Sequence, residues 1–455
     1  MVVMALTRGP DAAVAPKLPT VIAAASVGTL LAWYDFYLYG VLAVFFADRF
    51  FPAGHSALGL LASLAVFWFG FVLRPCGAVL FGHLGDKIGR KPIFVAALLL
   101  MGVATFAIGL LPGYATIGVL APLLLVLMRA LQGLAIGGEY GGAAIYVAEH
   151  APDGRRGLHT SWLQVTATMG IVLTLLVVLA CRAAFGDDGF ADWGWRVPFW
   201  VSAILVPLAL YIHLQFDEPP LYERLRERGK VAPNPARESF ASVGNWRLMA
   251  LALFGAAAPE GVVWFTGQFY ALYYLATVLK VPNATLSVLM IVVLTLASPL
   301  FVVFGALSDK IGRRNIMAAG FALAAISYWP VFGWMAQFKN DPLILGGLVF
   351  YLVILAAMAY GPITAFLVEL FPARIRYSSV SLPYHVGNGM IGGLVPVVGI
   401  AFATALGDPR YALVYPIVIA AVGVVVSLVW LKPRTDEVRI WREVGGGPPP
   451  VPDQP

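Results

Sequence analysis

The chain has 455 residues, of which 60% are hydrophobic and 12% charged, with a mean hydropathy of +0.83; ordinary globular domains run at about 45–50% and about 25%. No soluble fold hides that much apolar surface, which excludes a soluble enzyme, a nucleic-acid binder and a disordered chain, while apolar runs beyond about 20 residues disfavour the short alternating strands of an outer-membrane barrel. The formal net charge of +6 and the pI near 9.2 are therefore read as topology, because in a membrane the placement of Lys and Arg sets orientation.

Taken in chain order, residues 1–19 hold Arg8, Lys17 and three prolines without a cleavable apolar core. Apolar windows then predict an all-α integral membrane protein with twelve spans, at about 20–46, 57–82, 92–111, 116–142, 158–182, 195–215, 248–280, 286–304, 316–336, 343–370, 378–405 and 411–431. Segment 216–247, with Arg224, Arg226, Arg228 and Lys230, divides the spans into halves 20–215 and 248–431, and 432–455 is left as a tail. With both ends, the even-numbered loops and this linker in the cytoplasm, 22 of the 30 Lys and Arg residues fall inside, 6 outside and 2 within spans. That bias predicts a plasma (inner) membrane protein with both termini cytoplasmic. Cys76 and Cys181 imply neither a disulfide framework nor a metal site.

The halves repeat each other. Gly82-His-Leu-Gly-Asp86-Lys-Ile-Gly89-Arg90-Lys91 recurs as Gly305-Ala-Leu-Ser-Asp309-Lys-Ile-Gly312-Arg313-Arg314, 223 residues on, and Glu149-x-x-Pro152-x-x-x-Arg156 recurs as Glu369-x-x-Pro372-x-x-x-Arg376, 220 residues on. Two motifs in one order at nearly one offset indicate duplication, which places a substrate site near the midplane between the halves. In the first pair, glycines allow a tight turn and an acid sits near a helix N-terminus. Gly82, Asp86, Gly89 and Arg90 with Asp309, Gly312 and Arg313 therefore read as a conformational latch. Glu149, Arg156, Glu369 and Arg376 read as ion pairs that break and re-form as the halves rock, the plainer alternative being positive-inside anchoring.

Ionisable residues within spans are few: Asp35, Arg74, Arg129, Glu139, Glu260 and His385, with His213 near a helix end. A charge at membrane depth costs at least about 2.5–3.5 kcal/mol, so each faces protein or water. Counting residues from the span ends puts Asp35, Arg129 and Glu260 near the midplane, and Arg74 and Glu139 closer to the cytoplasmic end as gate candidates. Arg129 shares a face with Gln132, and its planar fork suits a substrate carboxylate; the plainer reading is a static Asp35–Arg129 ion pair. Glu260, Trp264 and Gln268 line one face of the seventh span, and His385 and Asn388 one face of the eleventh, all read as substrate contacts or, for Glu260, a proton site. A lone intramembrane His is more often a packing residue. Gly133, Gly137, Gly138, Gly141 and Gly142 form small-residue pairs that read as helix packing. No cofactor or metal-binding set is expected, nor a nucleic-acid partner, and the chain is read as a monomer.

The repeated G-x-x-x-D-x-x-G-R-K loop resembles the signature of the major facilitator superfamily, over essentially the whole chain. Trp33-Tyr-Asp35-Phe-Tyr-Leu-Tyr39-Gly40, Arg74-Pro75-x-Gly77, Arg129-x-x-Gln132-Gly133, Gly137-Gly-Glu139-Tyr-Gly-Gly142, Trp193-Gly-Trp-Arg196-x-Pro198-Phe199 and Glu369-Leu-Phe-Pro372 are similar to the metabolite:proton symporter family. Its permeases take shikimate, α-ketoglutarate, citrate, aromatic acids, and proline or betaine. The resemblance implies helices 1, 4, 7 and 10 around a cavity, alternating access, and proton-coupled uptake of a small organic acid. A zwitterion or osmolyte symporter, a proton-antiport exporter and a non-transporting nutrient receptor are the alternatives. This chain departs from the family at Ala32, where Glu is usual, and at Tyr140, where Trp is common. With that Glu missing, the proton role falls to Asp35 first and Glu260 second.

Overall fold

The computed structural model of the chain describes residues 18–51, 56–88, 90–214, 242–372 and 376–431, the side chains of 56, 57, 85–91, 209, 211–214 and 404 excepted. Ten helices are long and apolar enough to cross a membrane: α1 (Leu18–Val41), α2 (Leu58–Leu84), α4 (Leu120–His150), α5 (Arg156–Asp192), α7 (Val243–Val278), α8 (Asn283–Ile311), α9 (Arg313–Gln337), α10 (Pro342–Leu370), α11 (Arg376–Ala403) and α12 (Pro409–Trp430). Two shorter apolar helices, α3 (Pro92–Ile108) and α6 (Gly194–Leu208), complete the series, and no strand occurs among the described residues.

Hydropathy misplaces some boundaries. The helix of α5 runs on past Arg182 through Asp187 and Asp188, bending at Gly186 with φ of 70°, where charge suggested an end. The helix of α7 starts at Val243 rather than near 248. Most of the expected linker, the N-terminal segment and the tail lie outside the described residues.

Packing repeats with the sequence. In the first half α1 packs on α5, α2 on α4 and α3 on α6; in the second α7 packs on α11, α8 on α10 and α9 on α12. The halves meet along α2–α11 and α5–α8, two seams that exchange under the same repeat. The glycine run of α4 brings it against α2: a Cβ at Gly133 or Gly137 would strike the carbonyl of Gly70 or Arg74, which is the close approach small residues permit in lipid. Gly312, at φ of 95°, makes the turn from α8 to α9, a conformation only glycine adopts without strain. Two helices carry wide, π-helical turns at the middle of the molecule, α7 at Thr266–Tyr270 and α11 at His385–Gly392. Such irregularities cluster at functional sites.

Candidate functional site

A charged seam crosses the boundary between the halves. The Arg74 guanidinium on α2 is buried; its Nε donates to His385 Nδ1 at 3.1 Å and its Nη1 to Asn388 Oδ1 at 3.3 Å. Asn388 in turn donates Nδ2 to both carboxylate oxygens of Glu260, at 3.2 Å each. Because arginine only donates, His385 Nδ1 is the acceptor in this contact. The chain of contacts therefore runs α2, α11, α7. Aromatic rings enclose the cation: Trp33, Phe71 and Tyr384 have centroids 5.3, 5.4 and 5.7 Å from it, within cation–π range. Trp33 stacks on Tyr37 at 4.8 Å and Tyr37 on Trp264 at 5.5 Å, so the ring stack also spans the halves.

Several buried polar atoms at this level have no protein partner: Arg74 Nη2, the indole N–H groups of Trp33 and Trp264, and both ends of the Gln268 amide. Buried polar atoms of this kind call for a partner, such as a water or a polar ligand. Sequence depth puts Arg74 at a cytoplasmic gate, whereas the structure puts its guanidinium in the centre. Residue counting locates a Cα, and a long flexible stem carries the charge well beyond it.

Arg129 sits differently. Its Nη1 donates to the Phe36 carbonyl at 3.1 Å and to Gln132 Oε1 at 2.6 Å, and Nη2 to the Phe67 carbonyl at 3.3 Å, all within the first half. Phe36, Tyr39 and Phe67 cover it, with ring centroids at 4.1, 4.8 and 5.4 Å. Asp35 turns to another neighbour and accepts from Ser202 Oγ on α6 at 2.5 Å. The Asp35–Arg129 ion pair is absent among the described residues: Arg129 takes the carbonyl of the next residue, Phe36, instead of the carboxylate. Gln132 joins the two groups, donating to Thr105 Oγ1 at 2.7 Å and to the Asp35 carbonyl at 3.4 Å. Glu139 is buried beside Thr29, between α4 and α1, and so lies inside the first half instead of at a gate between halves.

Between this level and the chain-terminal end, a plug of hydroxyls and rings bridges the halves. Tyr140 stacks on Tyr384 at 3.9 Å, its hydroxyl lies 2.9 Å from Thr364 Oγ1, and Gln164 Nε2 donates to both. Tyr360 and Tyr384 hydroxyls meet at 2.7 Å. Charge-based reading misses these residues; only the departure at Tyr140 marked the place. On the other side of the seam, Tyr273 donates to the Gly40 carbonyl and Trp68 Nε1 to the Met390 carbonyl at 2.8 Å. Contacts thus bridge the halves on both sides of this level.

At the chain-terminal end the motif residues converge. Glu369 Oε1 accepts from Arg156 Nη1 and Arg313 Nη2, each at 3.1 Å, so the ion pair joins the two halves. Arg156 also reaches Asp153 at 2.6 Å. Asp309, paired with Arg313, accepts the backbone N–H groups of Gly157 and Leu158 at 2.9 Å each. It thereby caps the first turn of α5 from the opposite half, satisfying orphan donors and the helix dipole together. Gly82 backs onto Tyr377 of α11, whose hydroxyl donates to the Gly138 carbonyl at 2.8 Å. Glu149 and Arg376 are buried at the same end, Arg376 donating to the Phe371 carbonyl. The side chains of Asp86 and Arg90, and Gly89 altogether, lie outside the described residues.

A family model described as Major Facilitator Superfamily matches residues 25–382 and, in a second match, 254–452. The alpha-ketoglutarate permease of Escherichia coli (strain K12) is 35% identical, covering 90% of this chain and 92% of that protein. The proline/betaine transporter of Salmonella typhimurium (strain LT2) is 34% identical, over 90% and 83%, and the citrate-proton symporter of Salmonella typhi 32%, over 84% and 86%. Among solved structures, the proton:xylose symporter XylE bound to 6-bromo-6-deoxy-D-glucose superposes with a TM-score of 0.74 over 92% of this chain and 97% of that one, at 18% identity. That likeness is one of fold.

Proposed function

The chain belongs to the major facilitator superfamily, and from that premise we propose that this multi-pass membrane protein takes up a small organic acid together with a proton, by alternating access, with both termini in the cytoplasm of the inner membrane. The observation that carries the reading is the Arg74–Asn388–Glu260 chain across the halves. While Glu260 is ionised, its charge and that of Arg74 offset each other through Asn388. Once Glu260 takes a proton, Arg74 is an uncompensated buried cation, which is costly and which a substrate carboxylate relieves through the bidentate fork. Proton and anion then favour each other's binding, the reciprocity that symport needs. Release requires the Tyr140–Tyr384 plug and the Glu369 latch to part. Among the midplane acids, this assigns the proton to Glu260 ahead of Asp35, whose hydrogen bonds remain within the first half.

Reconstituted protein under an imposed pH gradient tests the assignment. Glu260→Gln is expected to abolish accumulation of the transported acid while keeping substrate counterflow, which needs rocking but no net proton movement; loss of both, or of neither, counts against it. A second reading has support from the Trp33–Tyr37–Trp264 stack beside Arg74 and Glu260. Aromatic faces next to an ionised acid suit the cationic end of a zwitterion. Counterflow competition between dicarboxylates and betaines in the same vesicles separates the two.

A further inference from the structure

On the outer face of the second half, α8 and α10 leave a groove of about 830 Å³ between them, lined by Val288, Val292 and Leu296 on one side and Leu343, Gly347 and Phe350 on the other. Its wall is almost wholly apolar, and Leu296 and Leu343 are 65% and 86% exposed. From Ala284 to Leu296 it follows α8 for about 18 Å at 1.5 Å per residue, close to the depth of one leaflet, half of a hydrocarbon core of about 30 Å. Its mouth lies where α8 and α10 begin, at the end away from the latch. Gly347 meets open space there.

The mouth is basic. Lys280 precedes Ala284 by four residues and Lys339 precedes Pro342 by three, and both are exposed; at no more than about 3.6 Å per residue, each backbone lies within roughly 11–14 Å of the groove. The start of α8 has no side-chain cap, leaving N–H donors open to an anion. Asp341 is the acid nearby, and its carboxylate accepts the N–H groups of Leu343 and Ile344 at the start of α10.

We propose that the groove binds one acyl chain of an anionic phospholipid from the leaflet at that end, with the lipid phosphate held by Lys280, Lys339 and the uncapped start of α8. A water-soluble ligand would need convergent polar groups in the wall, and the wall has almost none. A second copy of the chain would meet a concave slot instead of a flat face. The match of slot length to leaflet depth, with positive charge only at the mouth, fits a lipid.

The full-length protein, purified and exposed to phosphatidylglycerol or phosphatidylcholine in detergent, is read by native mass spectrometry. One phosphatidylglycerol should stay bound per chain, retained at least fivefold over phosphatidylcholine. Gly347→Leu, and from the opposite wall Val288→Phe, should each lower that retention at least fivefold at unchanged helicity. The Lys280→Gln, Lys339→Gln double variant should bring phosphatidylglycerol down to the phosphatidylcholine level. Equal retention by the parent and both filled variants overturns the groove, and equal retention of the two lipids by the parent overturns the headgroup site. A dimer mass that Gly347→Leu abolishes would assign the slot to a second copy instead.

Discussion

Arg74 and Arg129, both fully buried in the first half, are held in opposite ways. Arg129 donates to the carbonyls of Phe36 and Phe67 and to Gln132, partners that travel with it when the halves rock. Arg74 donates to His385 and Asn388, which belong to the other half. A buried charge must keep its partners or find new ones. In the proposed cycle Arg129 keeps its partners and Arg74 exchanges them, which would give a substrate or a proton on Glu260 control over motion at Arg74 and not at Arg129.

The largest expected effects break this comparison directly. Arg74→Lys keeps charge but loses the fork, and removing one partner of a buried charged contact costs about 3–5 kcal/mol. Uptake should fall by at least about 100-fold, that is roughly 3 kcal/mol, with the protein still folded. Arg129→Lys should instead lower the melting temperature while the folded fraction keeps a near-parental KM in counterflow. The reverse pattern, a stable Arg129→Lys protein with substrate affinity gone, would make Arg129 the carboxylate receptor after all.

Next in size is the contrast between the two acids. Asp35→Asn keeps a hydrogen-bond acceptor for Ser202 and leaves the seam untouched, so pH-driven accumulation should stay within about threefold of the parent, the change in charge lying outside the seam. If Asp35→Asn stops accumulation and Glu260→Gln does not, the proton belongs inside the first half.

The latch gives a smaller effect. Glu369→Gln weakens two arginine contacts at once, and a partly exposed pair of charge-assisted bonds is worth about 1–2 kcal/mol. The chain-terminal end should open more often. A cysteine placed at Ser381, which is buried near the plug, should react with maleimide about tenfold faster in a Glu369→Gln background lacking Cys76 and Cys181. No acceleration would mean that the Tyr140–Tyr384 plug, and not the latch, holds this end closed.

How much of this was legible in the sequence follows the physics of each feature. The apolar helices, the duplicated loops and the glycine run of α4 were legible because lipid and close packing act on local patterns. The second Asp309 motif was legible as a latch region, but not its use as a cap on α5, since the partners are backbone N–H groups of Gly157 and Leu158. The carbonyl partners of Arg129 were illegible for the same reason, as main-chain acceptors leave no mark in a side-chain pattern. Depth counting set Arg74 near the cytoplasmic end, and its partners were illegible because they lie more than 300 positions away and only the seam brings them together.

The smallest expected effect lies at the end opposite the latch. Asp408 and Arg410 form a fork there as well, with Arg410 Nη2 2.8 Å from Asp408 Oδ2, but the pair is local, two residues apart, and crosses no boundary. Hydrogen bonds from the Arg410 side chain and backbone hold the Asp408 carboxyl below its ordinary range. A carboxyl lowered on folding stabilises the folded state above its unfolded pKa, about 3.9, and that contribution is lost as pH falls through the lower folded value. At neutral pH it is fully present, yet an exposed pair adds little. Asp408→Asn should therefore shift the melting temperature by no more than about 1 °C at pH 7, leave uptake unchanged, and narrow the remaining difference from the parent below about pH 4. An uptake loss in Asp408→Asn would show that this end, too, carries a latch, built from a pair that never leaves its own half.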